Sequence, residues 1–574
     1  MLRNTPSQES GKAQCVLQEL PAQPTGSGEK DEKPSSRSSR QIGEEDDGNS
    51  SLSSTSPHQP PAGSTGVLSG TVSEVRDGIY KRDEEFGPPI EEKTTTTAPD
   101  PNDPNLVTWT GPDDPDNPKN WSFARKWGAV FVVSTFTLIS PVSSSMVAPS
   151  LIAIGEELNI TESFQRSLVL SIFVLGYAIG PLASGPLSEL YGRVVVLQYT
   201  NLIYLFFNLG CGLARTKGQL IAFRFLSGLG GSASLAIGGG VLSDLFVAEQ
   251  RGRAMSLYSL MPLLGPAIGP IAGAFITEHT TWRWSFWATT IADAAIQCFG
   301  LLFLRETYGP VLLAWKKRKL QKDTGKDDFH TPYDEPDRTV GKMLHMAFTR
   351  PFRLLATQII VQVLSLYMMY LYGLMYIVLV SFPNLWSSPQ PRGYGESVGI
   401  GGLNYVSLGL GFGLGAQICA LLQDRIYAAL KRRYKEPGRP EYRVPMMIPG
   451  ALLVPIGLVI YGWTAEYKTH WIWPNVGACL FSAGSIVGFQ CVRTYLVDSY
   501  TRYAASAVGA ATVMRSLAAF GFPLFTPSLY DNLGLGWGNT LLAFLGVAIG
   551  WPSPVLLWIY GERLRKRSPF AAGG

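Results

Sequence analysis

The chain has 574 residues, 46% of them hydrophobic and only 16% charged, with a net charge of +4. About 21 acids and 11 bases precede Trp121, so a start near −10 is followed by a remainder near +14. A mean hydropathy of +0.10 in a chain with so long a polar start excludes a single soluble domain.

Six cysteines (Cys15, Cys211, Cys298, Cys419, Cys479, Cys491) are scattered without CxxC or other ligand spacing, which supports neither a disulfide framework nor a zinc site. The histidines (His58, His279, His330, His345, His470) all fall outside the apolar runs and form no cluster. Neither histidine-ligated metal chemistry nor a nucleophile-and-base pair is indicated, so no metal, cofactor or enzymatic activity is expected. No phosphate-cradling P-loop appears, and an energy-consuming step would draw on an ion gradient.

Residues 1–120 are rich in Ser, Pro, Gly, Glu and Asp, lack any sustained apolar period, and read as a disordered acidic tail. Its Ser-rich acidic blocks fit a phosphorylation or turnover target, and equally a solvated tail with no specific role. No apolar stretch lies near Met1, so membrane insertion is expected to begin with the first run after Trp127.

From Trp127 onward, runs long enough to cross a hydrocarbon core of about 30 Å recur with short breaks. Twelve are predicted: 127–148, 167–188, 194–214, 220–243, 254–277, 284–304, 354–381, 398–423, 446–465, 471–492, 504–528 and 538–560. Without water in the bilayer core each run must satisfy its own backbone, so all are helices and the fold class is all-α membrane. The basic, polar break at 305–350 divides the runs six and six, giving a first bundle over 121–304, a second over 351–560 and a basic tail at 561–574. Two pseudo-symmetric six-helix bundles around a central path are the arrangement of many secondary transporters. A weak echo supports the repeat: the second run ends in GPLSELYGR and the eighth in LLQDRIYAALKRR, each with an acid and an arginine.

Placing the tail in the cytosol puts about 26 Lys and Arg on that side against about 6 outside, so both termini are expected to be cytosolic. That orientation leaves Asn159-Ile160-Thr161 as a glycosylation sequon in the first external loop.

Charges inside the runs are few, and each is a place to look for function. Arg224 fits a fixed charge that tunes a polar network as protons pass, and fits equally a side chain snorkelling to the external interface. Asp293, mid-way along the sixth run, suits a proton, a cationic substrate or a structural hydrogen bond to a neighbouring helix. Arg515 in the eleventh run is a candidate to contact substrate and equally a structural pair for a carbonyl or acid of the second half, with no partner nameable from sequence. In GPLSELYGR, Gly185 suggests close helix approach and Gly192 a tight exit, while Glu189 and Arg193 stand four apart as on one helical face. An acid at a helix C-terminus needs compensation, which makes this pair a breakable latch or an ordinary interfacial ion pair. Gly265, Gly269 and Gly273 form a four-residue stripe in the fifth run, with Pro266 and Pro270 beside it, which predicts a bent, tightly packed helix with a gating or sealing role. The seventh run carries Tyr367, Tyr370, Tyr372 and Tyr376 with Gln358 and Gln362, aromatic and polar groups suited to a greasy ligand and common also in plain packing.

These segments together resemble a known family. GPLSELYGR is similar to the loop 2–3 signature of the major facilitator superfamily, LIAFRFLSGLGG to its fourth-span arginine motif, and LLGPAIGPIAG to the fifth-span motif of its drug:proton antiporters. With DDPDNPKNW, SSSMVAPSL, TWRWSFW, LRETYGPVLL and FPLF, the stretch from about Asp113 to Arg567 resembles the fungal twelve-span antiporter branch. The resemblance implies a plasma-membrane carrier that exports small hydrophobic or amphiphilic compounds (antifungal drugs, toxins, secondary metabolites) in exchange for protons by alternating access, with Arg224 in proton coupling; Asp293 joins it as a coupling and substrate candidate on its mid-membrane position. It assigns Gly185, Glu189, Gly192, Arg193 and Asp244 to a conformational latch, and Gly265, Pro266, Gly269, Pro270 and Gly273 to the antiporter helix. Glu189 stands where the signature usually has Asp, and Ser227 where the arginine motif often has Gln. The expected partners are protons, the lipid bilayer and a small amphiphile, handled by a monomer with no nucleic acid. Polyamine export, proton-coupled uptake of a nutrient or siderophore, and a non-transporting sensor are the alternatives on the same fold.

Overall fold

The computed structural model describes residues 103–571, apart from 112, 335–338 and 437. The disorder expected of the tail before residue 103, Cys15 included, lies outside them. The first half comprises α1 (Phe123–Ser145), α2 (Leu151–Glu157), α3 (Ser163–Tyr191), α4 (Arg193–Leu213), α5 (Lys217–Gly231), α6 (Ala233–Leu245), α7 (Ala248–His279) and α8 (Arg283–Phe303). Two linker helices follow, α9 (Gly309–Thr324) and α10 (Val340–Thr357). The second half holds α11 (Ile359–Ser387), α12 (Val398–Leu403), α13 (Val406–Tyr434), α14 (Met447–Glu466), α15 (Ile472–Ser499), α16 (Ala504–Gly550) and α17 (Pro552–Lys566). Among the described residues there is no strand, and the only bridge joins Leu106 to His330.

Among the described residues eleven segments are long and apolar enough to span a bilayer, the last running from Thr501 to Lys566. Its 66 residues would extend about 99 Å as one straight helix, three times the hydrocarbon core. It is two crossings: Gly534 takes φ 71° and ψ 175°, a conformation open mainly to glycine, and breaks the helix. The restart is capped by Glu466, whose Oε2 accepts the N–H groups of Leu535 and Gly536 at 2.6 and 3.2 Å. Twelve crossings result. Four are discontinuous: the first breaks between α1 and α2, the fourth at Ser232 between α5 and α6, the eighth between α12 and α13, and the twelfth at Trp551 between α16 and α17.

The polarity is inverted relative to a soluble protein. Phe131, Phe206, Leu302 and Phe544 are exposed on the outside, whereas Ser140, Asn208, Arg224 and Asp293 are buried within the bundles. Glycines bring helices together at matching places in the two halves. Gly176 of α3 abuts Gly228 of α5, as Gly411 and Gly415 of α13 abut α15, and Gly230 abuts α4 as Gly484 abuts α14.

Residues 103–120, grouped by composition with the disordered tail, are fixed against the linker. Val107 N–H donates to the His330 carbonyl at 2.8 Å, and Lys316 of α9 donates to the Thr108 carbonyl at 3.2 Å. Asp114 organises the turn, accepting the N–H groups of Thr110 and Asp116 at 2.8 and 2.9 Å. Those backbone donors, with Lys316 beside them, hold its carboxyl below the usual carboxylate range. Trp121 and Val107 supply the buried apolar contacts.

Candidate functional site

The first crossing stops being helical at Ser145, deep in the bundle, which leaves the last carbonyls of α1 without intrahelical partners. Arg224 of α5 fills that gap. Its guanidinium, fully buried, donates to the carbonyls of Ser143 and Ser144, both at 3.2 Å, and to Val169 of α3 at 3.2 Å. A cation at a helix C-terminus is favoured by the backbone dipoles, and the Phe173 ring, 4.5 Å away, covers the guanidinium. The snorkelling alternative is thereby excluded. Among the described residues no carboxylate pairs with Arg224; its charge is balanced by carbonyls and an aromatic face.

A polar ladder runs from there to Asp293. The Ser143 hydroxyl donates to Asn208 Oδ1 at 3.1 Å, and Asn208 Nδ2 donates to the Thr289 and Thr290 hydroxyls of α8, both at 2.9 Å. One turn further along α8, Asp293 Oδ2 accepts from Asn201 Nδ2 at 2.9 Å, which also bonds Gln297. Asp293 Oδ1 is buried with no partner. Sequence reasoning missed Asn201 and Asn208. Their signal was present, since two amides seven apart in an apolar run lie on one helical face.

The seventh-span residues divide. Tyr376 reaches the first half, its hydroxyl 3.1 Å from the Ser144 hydroxyl, and the Tyr177 hydroxyl of α3 bonds Ser140. Tyr372 lies beside Tyr376 with the rings tilted at 49°, meets Phe489 of α15 edge-on at 5.5 Å, and carries the Arg515 guanidinium 4.8 Å above its ring. The other four do not join this cluster. Tyr370 donates to the Leu542 carbonyl at 2.7 Å and Tyr367 packs at Gly488 and Gly550, so both serve cohesion of the second half. Gln358 bonds Thr357 where α11 begins, and Gln362 is exposed and bonds the Ala356 carbonyl.

At the end of the bundles that carries the linker, the signature residues converge, in a different arrangement from the one expected. Helix α3 stops at Tyr191, and Gly192 takes φ 110°, so Glu189 and Arg193 flank a break rather than share a helical face. They still pair at 3.7 Å, while Arg193 Nε lies 3.5 Å from Asp244 of α6 and its guanidinium covers the Tyr308 ring. Glu306 was not anticipated. Its carboxylate accepts the N–H groups of Arg193, Val194, Thr307 and Tyr308 at 2.9–3.1 Å, capping α4 and filling the space that a side chain at 192 would need. Gly185 has nothing within 4 Å of where a Cβ would stand, so the close approach expected of it is absent.

The second half repeats the device. Arg443, just before α14, bonds Asp424 of α13 at 2.5 Å and Asp498 of α15 at 2.9 Å, and its guanidinium covers the Tyr427 ring at 4.4 Å. The arginine equivalent to Arg193 is thus Arg443, supplied from beyond the eighth crossing, rather than Arg425 within LLQDRIYAALKRR.

The fifth-span stripe lies against the broken stretch of α1. A Cβ on Gly265 would stand 2.8 Å from the Pro141 backbone, one on Gly269 2.7 Å from the Val142 carbonyl oxygen, and one on Gly273 2.9 Å from the Met146 carbonyl carbon. Pro266 and Pro270 occupy the same helix, and Ser145 Oγ donates to the Gly265 carbonyl at 3.0 Å. Other positions of α7 meet the second half: Ala274 faces Gly402, and Glu278 accepts the Gly399 N–H at 2.7 Å. Asn159 stands exposed in the turn between α2 and α3, at φ 52°.

Comparison with known proteins agrees with this architecture. The family model of the Major Facilitator Superfamily matches residues 133–523. The chain is 49% identical over 471 residues to efflux pump vrtL of Penicillium aethiopicum, covering 82% of this chain and 92% of that one. It is 42% identical over 481 residues to efflux pump radE of Floropilus chiversii, covering 83% and 88%. Among solved structures, the proton:xylose symporter XylE bound to 6-bromo-6-deoxy-D-glucose superposes with a TM-score of 0.56 at 15% identity over 77% of this chain and 96% of that one, a likeness of fold. Twelve crossings in two halves, the repeated linker-end charge clusters and these matches lead to one conclusion: the chain is a multi-pass membrane protein and belongs to the major facilitator superfamily.

Proposed function

We propose that the protein exports small hydrophobic or amphiphilic compounds, such as antifungal drugs, toxins or secondary metabolites, across the plasma membrane in exchange for protons. Both termini and the linker end face the cytosol, Asn159 faces outside, and the chain works as a monomer by alternating access. The observation that carries this reading is the path from Arg224 to the opposite half. Arg224 holds the Ser143 and Ser144 carbonyls, and the Ser144 hydroxyl meets Tyr376, so a change in the buried charge reaches the contact between the halves. Asp293, with one oxygen bonded and the other vacant, has room for a proton within the same ladder. Relatives bearing the name efflux pump support the outward direction. Polyamine export fits poorly: the cation Arg515 lies on the Tyr372 ring in the aromatic cluster, and Asp293 is bonded to Asn201 within the first half.

The test is accumulation of the neutral dye Nile red in pump-deficient yeast, with surface expression checked for each variant. Lower accumulation that a protonophore and Arg224→Ala both abolish supports proton-driven export. Accumulation equal to that of the empty strain counts against it.

A further inference from the structure

Arg515 is the charge at the interface that the fold leaves unanswered. It sits part-way along the eleventh crossing, with its guanidinium on the Tyr372 face at 4.8 Å. Its Nε is buried without a hydrogen-bond partner, and among the described residues no carboxylate lies within 4.0 Å of its nitrogens. Arg224 differs, because three carbonyls satisfy it. The acids nearest the middle and linker end of the spans are committed elsewhere: Asp293 to Asn201, Glu189 and Asp244 to Arg193, Asp424 and Asp498 to Arg443.

The groups around Arg515 are aromatic and hydroxylic. Tyr372 carries it, Phe489 meets Tyr372 edge-on, Tyr376 lies tilted beside Tyr372, and α3, which bears Tyr177, packs against α16. Arg515 is half-buried, so its guanidinium is only partly hydrated, and among the described residues the ring face is the one favourable contact of its charge. The planar fork is shaped for two oxygens of one anion, and the rings beside it for a flat apolar body.

We propose that Arg515 selects the charge of the cargo, and that the cargo is an aromatic acid carried as its carboxylate or phenolate, its oxygens on the Arg515 guanidinium and its ring against Tyr372 and Phe489. This deepens the export reading and rests on it.

The test is equilibrium binding to the full-length protein in nanodiscs with no gradient, using three fluorescent probes of one shape: 2-anthracenecarboxylate, 2-anthracenemethanol and 2-(aminomethyl)anthracene. The wild type is expected to prefer the acid over the alcohol by about 10- to 100-fold, the worth of a charge-assisted pair, and to bind the amine most weakly. Arg515→Gln is expected to bring the acid-to-alcohol ratio close to one, and Arg515→Lys to leave it between. A wild type that binds alcohol or amine as tightly as the acid overturns the proposal, as does an Arg515→Gln protein that keeps the preference. Should Arg515→Gln fail to purify as a monodisperse protein, the wild-type ratios and the fall in Arg515→Lys decide. Because no transport is needed, the two readings fail separately: acid preference with no outward movement of 2-anthracenecarboxylate from cells expressing the protein would sink the export reading alone, and dye export without acid preference would sink the anion site alone.

Discussion

The fifth-span stripe supports a paired prediction, Gly273→Ala against Gly185→Ala. A methyl at 273 would stand 2.9 Å from the Met146 carbonyl carbon and closer still to its oxygen, whereas ordinary contacts begin at 3.4 Å. Since α1 is broken there and cannot yield by side-chain rotation, α7 must move away by at least about 0.5 Å, a strain that costs about 1–3 kcal/mol in close-packed interiors. A methyl at 185 meets nothing within 4 Å. Both substitutions gain the same helix propensity, about 1 kcal/mol, so the difference between them isolates the clash. The assay is the heat-induced loss of monodisperse full-length protein in detergent, read side by side. Gly273→Ala is expected to lose monodispersity at a midpoint on the order of 2–6 °C below that of Gly185→Ala, and to export Nile red more slowly. Equal midpoints and equal export would refute the reasoning that the stripe seals α7 to α1.

Further predictions concern the linker end. Glu306→Ala removes the cap of α4 and is expected to lower stability by about 1–2 kcal/mol, visible in the same melting assay, while Glu306→Asp keeps part of it. Arg193→Gln and Arg443→Gln each lose two pairs and are expected to slow dye export by a similar factor, roughly 3- to 30-fold for about 0.3–1 kcal/mol per pair, with little change in expression; an effect from one half alone would contradict the equivalence of the two clusters. For Asp114 the folded-state carboxyl lies below its unfolded value, so its contribution is complete above about pH 4 and is lost as pH falls further. Limited proteolysis of residues 103–120 should therefore find the segment protected at pH 5 and released in strong acid, and Asp114→Asn should release it at neutral pH.

The crossings were legible because bilayer length and hydropathy leave little choice, and the glycine stripe because four-residue spacing defines one helical face. The linker-end signature was legible only in part. Glu189 and Arg193 are four apart in sequence, but Asp244 and Glu306 arrive from about 50 and 110 residues away, and only the fold brings them together. The division among the seventh-span tyrosines was illegible for a physical reason. Helix α11 is buried on nearly every side, so hydrophobicity carries no information on which face meets the first half and which meets α15 and the last crossing. The loss of regular helix at Ser145, which gives Arg224 its acceptors, leaves no mark in composition either, since SPVSSSM reads as continuous helix on hydropathy alone.

The most direct measurement is proton movement in sealed vesicles containing the purified full-length protein, with a pH-sensitive dye inside and cargo added at zero membrane potential. The account predicts a cargo-dependent proton flux in the wild type, opposite in direction to the cargo and lost in Arg224→Ala and Asp293→Asn. Cargo that crosses at the same rate with or without a pH gradient, moving no protons, would contradict it.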